Sequence, residues 1–153
     1  MNWIAPLFTL LGVALGAGAS ALADRRRWRR EEHTHAREQR VAMYAEYLTA
    51  MEATAQALRN VLRRVPASER PAAAEAAFTA SDLGAIRQRM HVLAPNDVRT
   101  AGETIFRSLR RSRDYVAVAD PQDHEQLNRL KHEVAQARNE LQSQMRHDIG
   151  TPA

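Results

Sequence analysis

The chain has 153 residues, room for one domain of ordinary size. It carries 22 Lys and Arg against 18 Asp and Glu, and its lack of Cys excludes a disulfide scaffold, a thiolate metal site and a cysteine nucleophile. Six Gly and six Pro are too few for a collagen, a low-complexity linker or a turn-rich β-sandwich.

Trp3 through Ala23 is an uncharged run of 21 residues rich in Leu, Ala, Val and Gly. A hydrocarbon core of roughly 30 Å takes about 20 helical residues, so segment 1–23 is expected to be a single transmembrane anchor. Trp3 and Trp28 bracket the run at the positions where amphipathic rings favour the headgroup region. Directly after it come Asp24, Arg25, Arg26, Arg27, Trp28, Arg29 and Arg30, and no Lys or Arg precedes it. The positive-inside rule then predicts a plasma (inner) membrane protein with its short N-terminus outside and its C-terminal domain cytoplasmic. The arginines would lie against the anionic leaflet, so the lipid bilayer is the first expected partner. Ala21-Leu22-Ala23 has the small-x-small form of a signal-peptide cleavage site. However, the basic n-region is missing and five Arg directly beyond the site oppose translocation, which favours an uncleaved anchor. Within the run, Gly12, Gly16 and Ser20 recur every fourth residue, a stripe that lets helix backbones approach in lipid and suggests a homo-oligomer.

No Pro occurs between Pro6 and Pro66, and no Gly between Gly18 and Gly84, so the span can continue as helix. Residues 24–40 read as a polar, basic stalk about 25 Å long. The domain 41–149 follows. Val41, Tyr44, Leu48, Met51, Ala55, Leu58, Leu62 and Val65 recur in steps of three and four, a heptad seam that serves either a bundle core or a coiled coil between copies. Tyr44 reads as a core aromatic and Tyr47 as a flanking one.

Ser68 is the expected N-cap of a second helix reaching about Leu93, with Leu83, Ile86, Met90 and Leu93 inward; Thr79–Asp82 and Gly84 are the places where it would break. Ala94-Pro95 predicts a third helix with Pro at its first position and Asp97 at its positive end, its face marked by Val98, Ala101, Ile105, Leu109 and Val116. Asp120-Pro121-Gln122-Asp123 opens the fourth, with Asp120 as cap, Pro after it and Asp123 as an early acid; Leu127, Leu130, Val134, Ala137, Leu141 and Met145 face inward and Gly150 is its stop before a tail of 150–153. The fold class expected is therefore all-α: a transmembrane helix continuing through a stalk into an antiparallel four-helix bundle.

Catalytic and metal motifs are scarce. Glu32 and His35 supply one Glu-x-x-His spacing where a di-metal bundle needs two, and no two His stand at i, i+4. His124 and His132 adjoin Glu125 and Glu133, but neighbours in sequence point different ways on a helix. There is no phosphate-binding Gly loop and no nucleophile elbow, so no catalytic residue, metal or cofactor is expected. Of the basic residues, 21 are Arg and one is Lys131; with heavy Ala usage this is the composition of a GC-rich bacterial coding sequence, and Arg abundance alone is not function. The stretch 24–40 carries a net charge of +3 and the remaining 41–153 only +1, which makes nucleic acid an unlikely partner. Arg107, Arg110, Arg111 and Arg113 form the one cluster that would serve it, and they read first as a solvated helix face.

The Trp3…Pro6-Leu7…Leu10-Leu11-Gly12 opening, the Asp24–Arg30 run and the Leu93-Ala94-Pro95-Asn96-Asp97-Val98 link resemble those of small single-span helical membrane proteins of actinobacteria and their phages. The resemblance implies architecture and location and assigns no active site. The function expected is a membrane-tethered, non-enzymatic helical interaction or scaffold module with a protein partner. The alternatives are a holin- or toxin-like membrane effector oligomerising through Gly12 and Gly16, and a membrane-associated nucleic-acid binder.

Overall fold

A computed structural model describes the backbone of residues 4–120 and 123–150 and the side chains of residues 34–120 and 123–150. Five helices follow one another among the described residues, with no strand: α1 (Ile4–Arg64), α2 (Arg70–Thr79), α3 (Leu83–Leu93), α4 (Asn96–Val118) and α5 (His124–Asp148). The chain divides into two units, Met1–Gln39 and Arg40–Ala153. In the first, the side chains from Thr34 to Gln39 are exposed except for half-buried Ala36. Among the described residues no helix is long and apolar enough to cross a membrane. The expected span with its Gly12, Gly16 and Ser20 stripe, and the Trp3 and Arg25–Arg30 interface residues, lie outside the described side chains.

In the second unit four helical rods pack together, the second of them broken into α2 and α3. Their directions follow from three long-range hydrogen bonds. Arg40 at the start of the bundle part of α1 donates to Asp148 at the end of α5, Tyr47 donates to Gly102 early in α4, and Arg70 at the start of α2 donates to Ala119 beyond the end of α4. Successive rods therefore alternate in direction. The main core joins Tyr44, Tyr47, Met51, Met90, Ile105 and Leu141, and a smaller cluster of Leu58, Val61, Ala74 and Val116 fills the far end.

The seam of α1 packs into this bundle. Tyr44, Met51 and Leu58 are buried, Leu48 and Leu62 are half-buried, and Val41 is 43 % exposed at the edge. The buried face is also wider than a heptad stripe. Met43, Tyr47, Ala50, Thr54 and Val61 form a second buried line beside it, because α1 is covered by more than one neighbour. Tyr47 is thus a central core residue, with no measurable exposure, and not a flanking one.

The helix ends follow local chemistry. Pro66 cannot donate and restricts the residue before it, and α1 stops at Arg64 with Arg63 and Arg64 in its last, negative turn. The cap of α2 is Glu69 and not Ser68. Glu69 N closes a turn onto Pro66 O at 3.0 Å, which delays the helix until Pro71 can occupy its first turn. The second rod breaks at Ala80–Asp82, where Asp82 takes a left-handed conformation (φ 51°), while Gly84 lies within α3. Leu93, expected inside, is 47 % exposed as the last residue of α3. Pro95 is the N-cap of α4, one position before that expected, and Asp97 stands in the first turn as the dipole favours. Asp123, and not Asp120, caps α5, its side chain accepting from Gln126 N at 3.1 Å. Gly150 takes the positive φ (68°) of a helix terminator. Tyr115–Val118 form the last turn of α4, and Ala119 is its extended C-cap.

Candidate functional site

The most site-like feature of the bundle is an apolar groove of about 190 Å³ between α1, α4 and α5. Met51, Ala55, Leu58 and Leu62 supply one wall, Leu109, Ser112, Tyr115 and Val116 the floor, and Leu127, Leu130, Val134 and Ala135 the other wall. Small residues at 55, 112 and 135 leave this space open, and Leu62, Leu127 and Val134 remain only half-buried beside it. Cations dominate the rim: Arg59, Lys131 and Arg138 against the single carboxylate of Glu52. Arg59 bonds Glu52 at 3.0 Å and Gln56 at 2.7 Å. Arg138 approaches Glu52 only to 3.7 Å, and its buried Nε has no hydrogen-bond partner among the described residues.

A second cluster ties α3 to α4. Glu103 accepts 2.7 Å hydrogen bonds from Arg87 and from His91 Nε2, so His91 carries its proton on that nitrogen. The Arg87 guanidinium lies 4.2 Å from the Phe106 ring centre, Phe106 packs edge-on to Phe78 at 5.5 Å, and Arg113 lies 5.0 Å from the Phe78 ring. Burial pushes the Glu103 carboxyl up, but the hydrogen bonds and charges of His91 and Arg87 outweigh it and hold the group below the usual carboxylate range. The arrangement is a paired, stacked joint between helices, with no nucleophile set against a base. The two buried phenols are likewise structural. Burial, with Asp148 beside Tyr44 and Glu103 near Tyr47, pushes both well above the ordinary tyrosine value, so each remains a donor.

The arginine cluster of α4 is partly committed to neighbours. Arg111 pairs with Glu133 at 3.4 Å, and Arg113 with Glu75 at 3.1 Å and Asp114 at 2.6 Å, while Arg107 and Arg110 are exposed. His35 stands 3.8 Å from Glu38 on an exposed stretch, and Glu32 lies outside the described side chains. Glu125 pairs with Arg129, and Glu133 with Arg111, so neither forms an acid–base pair with its neighbouring His. Among the described residues no group of His, Asp and Glu is placed to hold a metal ion.

Sequence reasoning found the groove's apolar walls but missed its rim. A signal was present: Arg59, Lys131 and Arg138 each directly follow an inward residue, Leu58, Leu130 and Ala137, which is where a cation flanks a buried face. Nothing in the sequence marks Arg87, His91 and Glu103 as partners, since only the packing of α3 on α4 brings them together. No protein-family model, curated protein or solved structure matches the chain.

Proposed function

We propose that this chain is a membrane-tethered, non-enzymatic interaction module that holds a helical bundle at the cytoplasmic face of the plasma membrane. The observation that carries the reading is the asymmetry of its first 30 residues. An uncharged run from Trp3 to Ala23 is followed at once by Asp24 and five arginines, with no cation before it. Support comes from α1, one unbroken helix from Ile4 to Arg64 that carries this run into the first rod of the bundle. The bundle's outer surface is where a protein partner docks, because the seam of α1 is consumed by the chain's own core.

The test uses the full-length chain with a C-terminal tag in a bacterium. The expected result is resistance to alkaline extraction from membranes, an intact mass that still includes Met1–Ala23, and a tag protected from external protease. A mass lacking Met1–Ala23 together with an exported tag would overturn the tether, and the leaflet contact of Arg25–Arg30 with it.

A further inference from the structure

We propose that the groove between α1, α4 and α5 binds a single-chain anionic amphiphile, a medium-chain fatty acid, with its carboxylate at Arg138 and Lys131 and its tail against Leu58, Val116 and Leu130. The site lies wholly within the Arg40–Ala153 unit and does not depend on the tether.

Three observations select this occupant. The first is charge: three cations and one carboxylate rim an otherwise apolar groove, so an apolar ligand with a negative head is favoured and one with a positive head is opposed. The second is an unmet donor. Arg138 Nη1 stands 3.7 Å from Glu52, beyond hydrogen-bond distance, and its side chain is 42 % exposed, so the guanidinium is open to an acceptor at the groove's rim. A carboxylate matches the planar fork of a guanidinium. The third is size and order. The groove of about 190 Å³ is somewhat larger than the roughly 150 Å³ apolar cavity that admits benzene, and several-fold too small for a helix, which is about 10 Å across with its side chains. It follows α1 from Met51 to Leu62, about three turns or roughly 16 Å, with Glu52 and Arg138 at one end, Arg59 and Lys131 about two turns further along, and Leu62, Val116 and Leu127 at the other end. A slim chain with a charged head at one end fits that sequence of surfaces.

The experiment is photolabelling of the full-length protein with dodecanoate bearing a terminal diazirine, followed by peptide mapping. The expected label falls on 51–62, 109–116 and 127–138. Plain dodecanoate competes for it and dodecyltrimethylammonium does not. Lys131→Gln and Arg138→Gln each weaken labelling by about tenfold, the loss of one charge-assisted contact. Ala135→Phe, which fills the groove, abolishes it. Should Ala135→Phe lose its helical circular dichroism, exposed Lys131 still decides the matter, because its substitution leaves the core untouched. Label spread evenly along the chain or confined to 1–33, equal competition by the cationic amphiphile, or wild-type labelling of both charge variants would each overturn the proposal.

Discussion

A Cβ on Gly102 would lie 2.1 Å from the Met90 terminal methyl, and the Gly102 carbonyl accepts the Tyr47 hydroxyl at 3.0 Å. Gly in a helix interior costs about 1 kcal/mol relative to Ala, so packing and not propensity accounts for it here. Gly102→Ala sets that gain against displacing a methyl in a filled core, which costs about 1–3 kcal/mol. The expected outcome in urea unfolding is a net loss of about 1 kcal/mol that Met90→Leu reverses. If the two changes simply add, Met90 is not what excludes the side chain. Glu103 bears on pH. Because its carboxyl is depressed by His91 and Arg87, its contribution is fully present above the ordinary value of 4.5 and is lost as pH falls through the lower folded value. Glu103→Gln is therefore expected to narrow its stability deficit against the parent chain on acidification below that value. A deficit that stays constant to lower pH would show that the Glu103 charge is not what stabilises the joint.

The broken second rod is an element-scale feature with a residue-scale cause. Thr54, fully buried in α1, donates to Ala50 O and accepts from the Ser81 hydroxyl. Ser81 lies in the turn between α2 and α3, and Asp82 follows in left-handed backbone. A rod running straight from Arg70 to Leu93 would not present Ser81 in this way. Gly84, the obvious breaker in the sequence, is helical, exposed and open around its Cα. Gly84→Ala is accordingly expected to raise stability by about 0.5–1 kcal/mol. Asp82→Val, which tolerates left-handed backbone poorly, should lower it by about 1–2 kcal/mol. Denaturant midpoints that move in the same direction for both would place the break elsewhere.

At the scale of the molecule, the bundle is closed at both ends by a charge. At one end Asp148 accepts from Arg40 at 2.9 Å and from Tyr44 at 2.7 Å, joining the first rod to the last. At the other, buried Arg70 donates to Val65 O at 3.0 Å and to Ala119 O at 2.8 Å, so one guanidinium satisfies carbonyls beyond the C-terminal ends of both α1 and α4. These are the negative ends of two helix dipoles, where a cation is favoured. Arg70→Met is expected to cost about 2–3 kcal/mol, with Arg70→Lys recovering only part because an ammonium cannot span two carbonyls as a planar fork does. Urea midpoints for the two variants check this; a Met variant as stable as the parent would mean that the helix ends do not need the bridge.

The helical class, the inward faces of α4 and α5 and the stop at Pro66 were legible from the sequence because each depends on local signals: a 3-and-4 apolar period, a missing amide donor, a turn residue. Ile105, Leu109, Leu141 and Met145 are buried as their spacing predicts. Caps were legible only to within a residue or so. Asp120 and Asp123, or Ser68 and Glu69, are near-equivalent candidates in sequence, and turn hydrogen bonds choose between them. What tertiary structure alone decided is which faces meet. From the sequence the seam of α1 could close on its own bundle or on another copy with the same residues; the long-range bonds of Tyr44, Tyr47 and Thr54 tie these residues to their own bundle. The groove belongs to the same class of fact. Its cations are ordinary surface residues in sequence, and they share one rim only because α1 and α5 run antiparallel, setting Arg138 opposite Glu52. Periodicity is a property of one helix, whereas a cavity is a property of three.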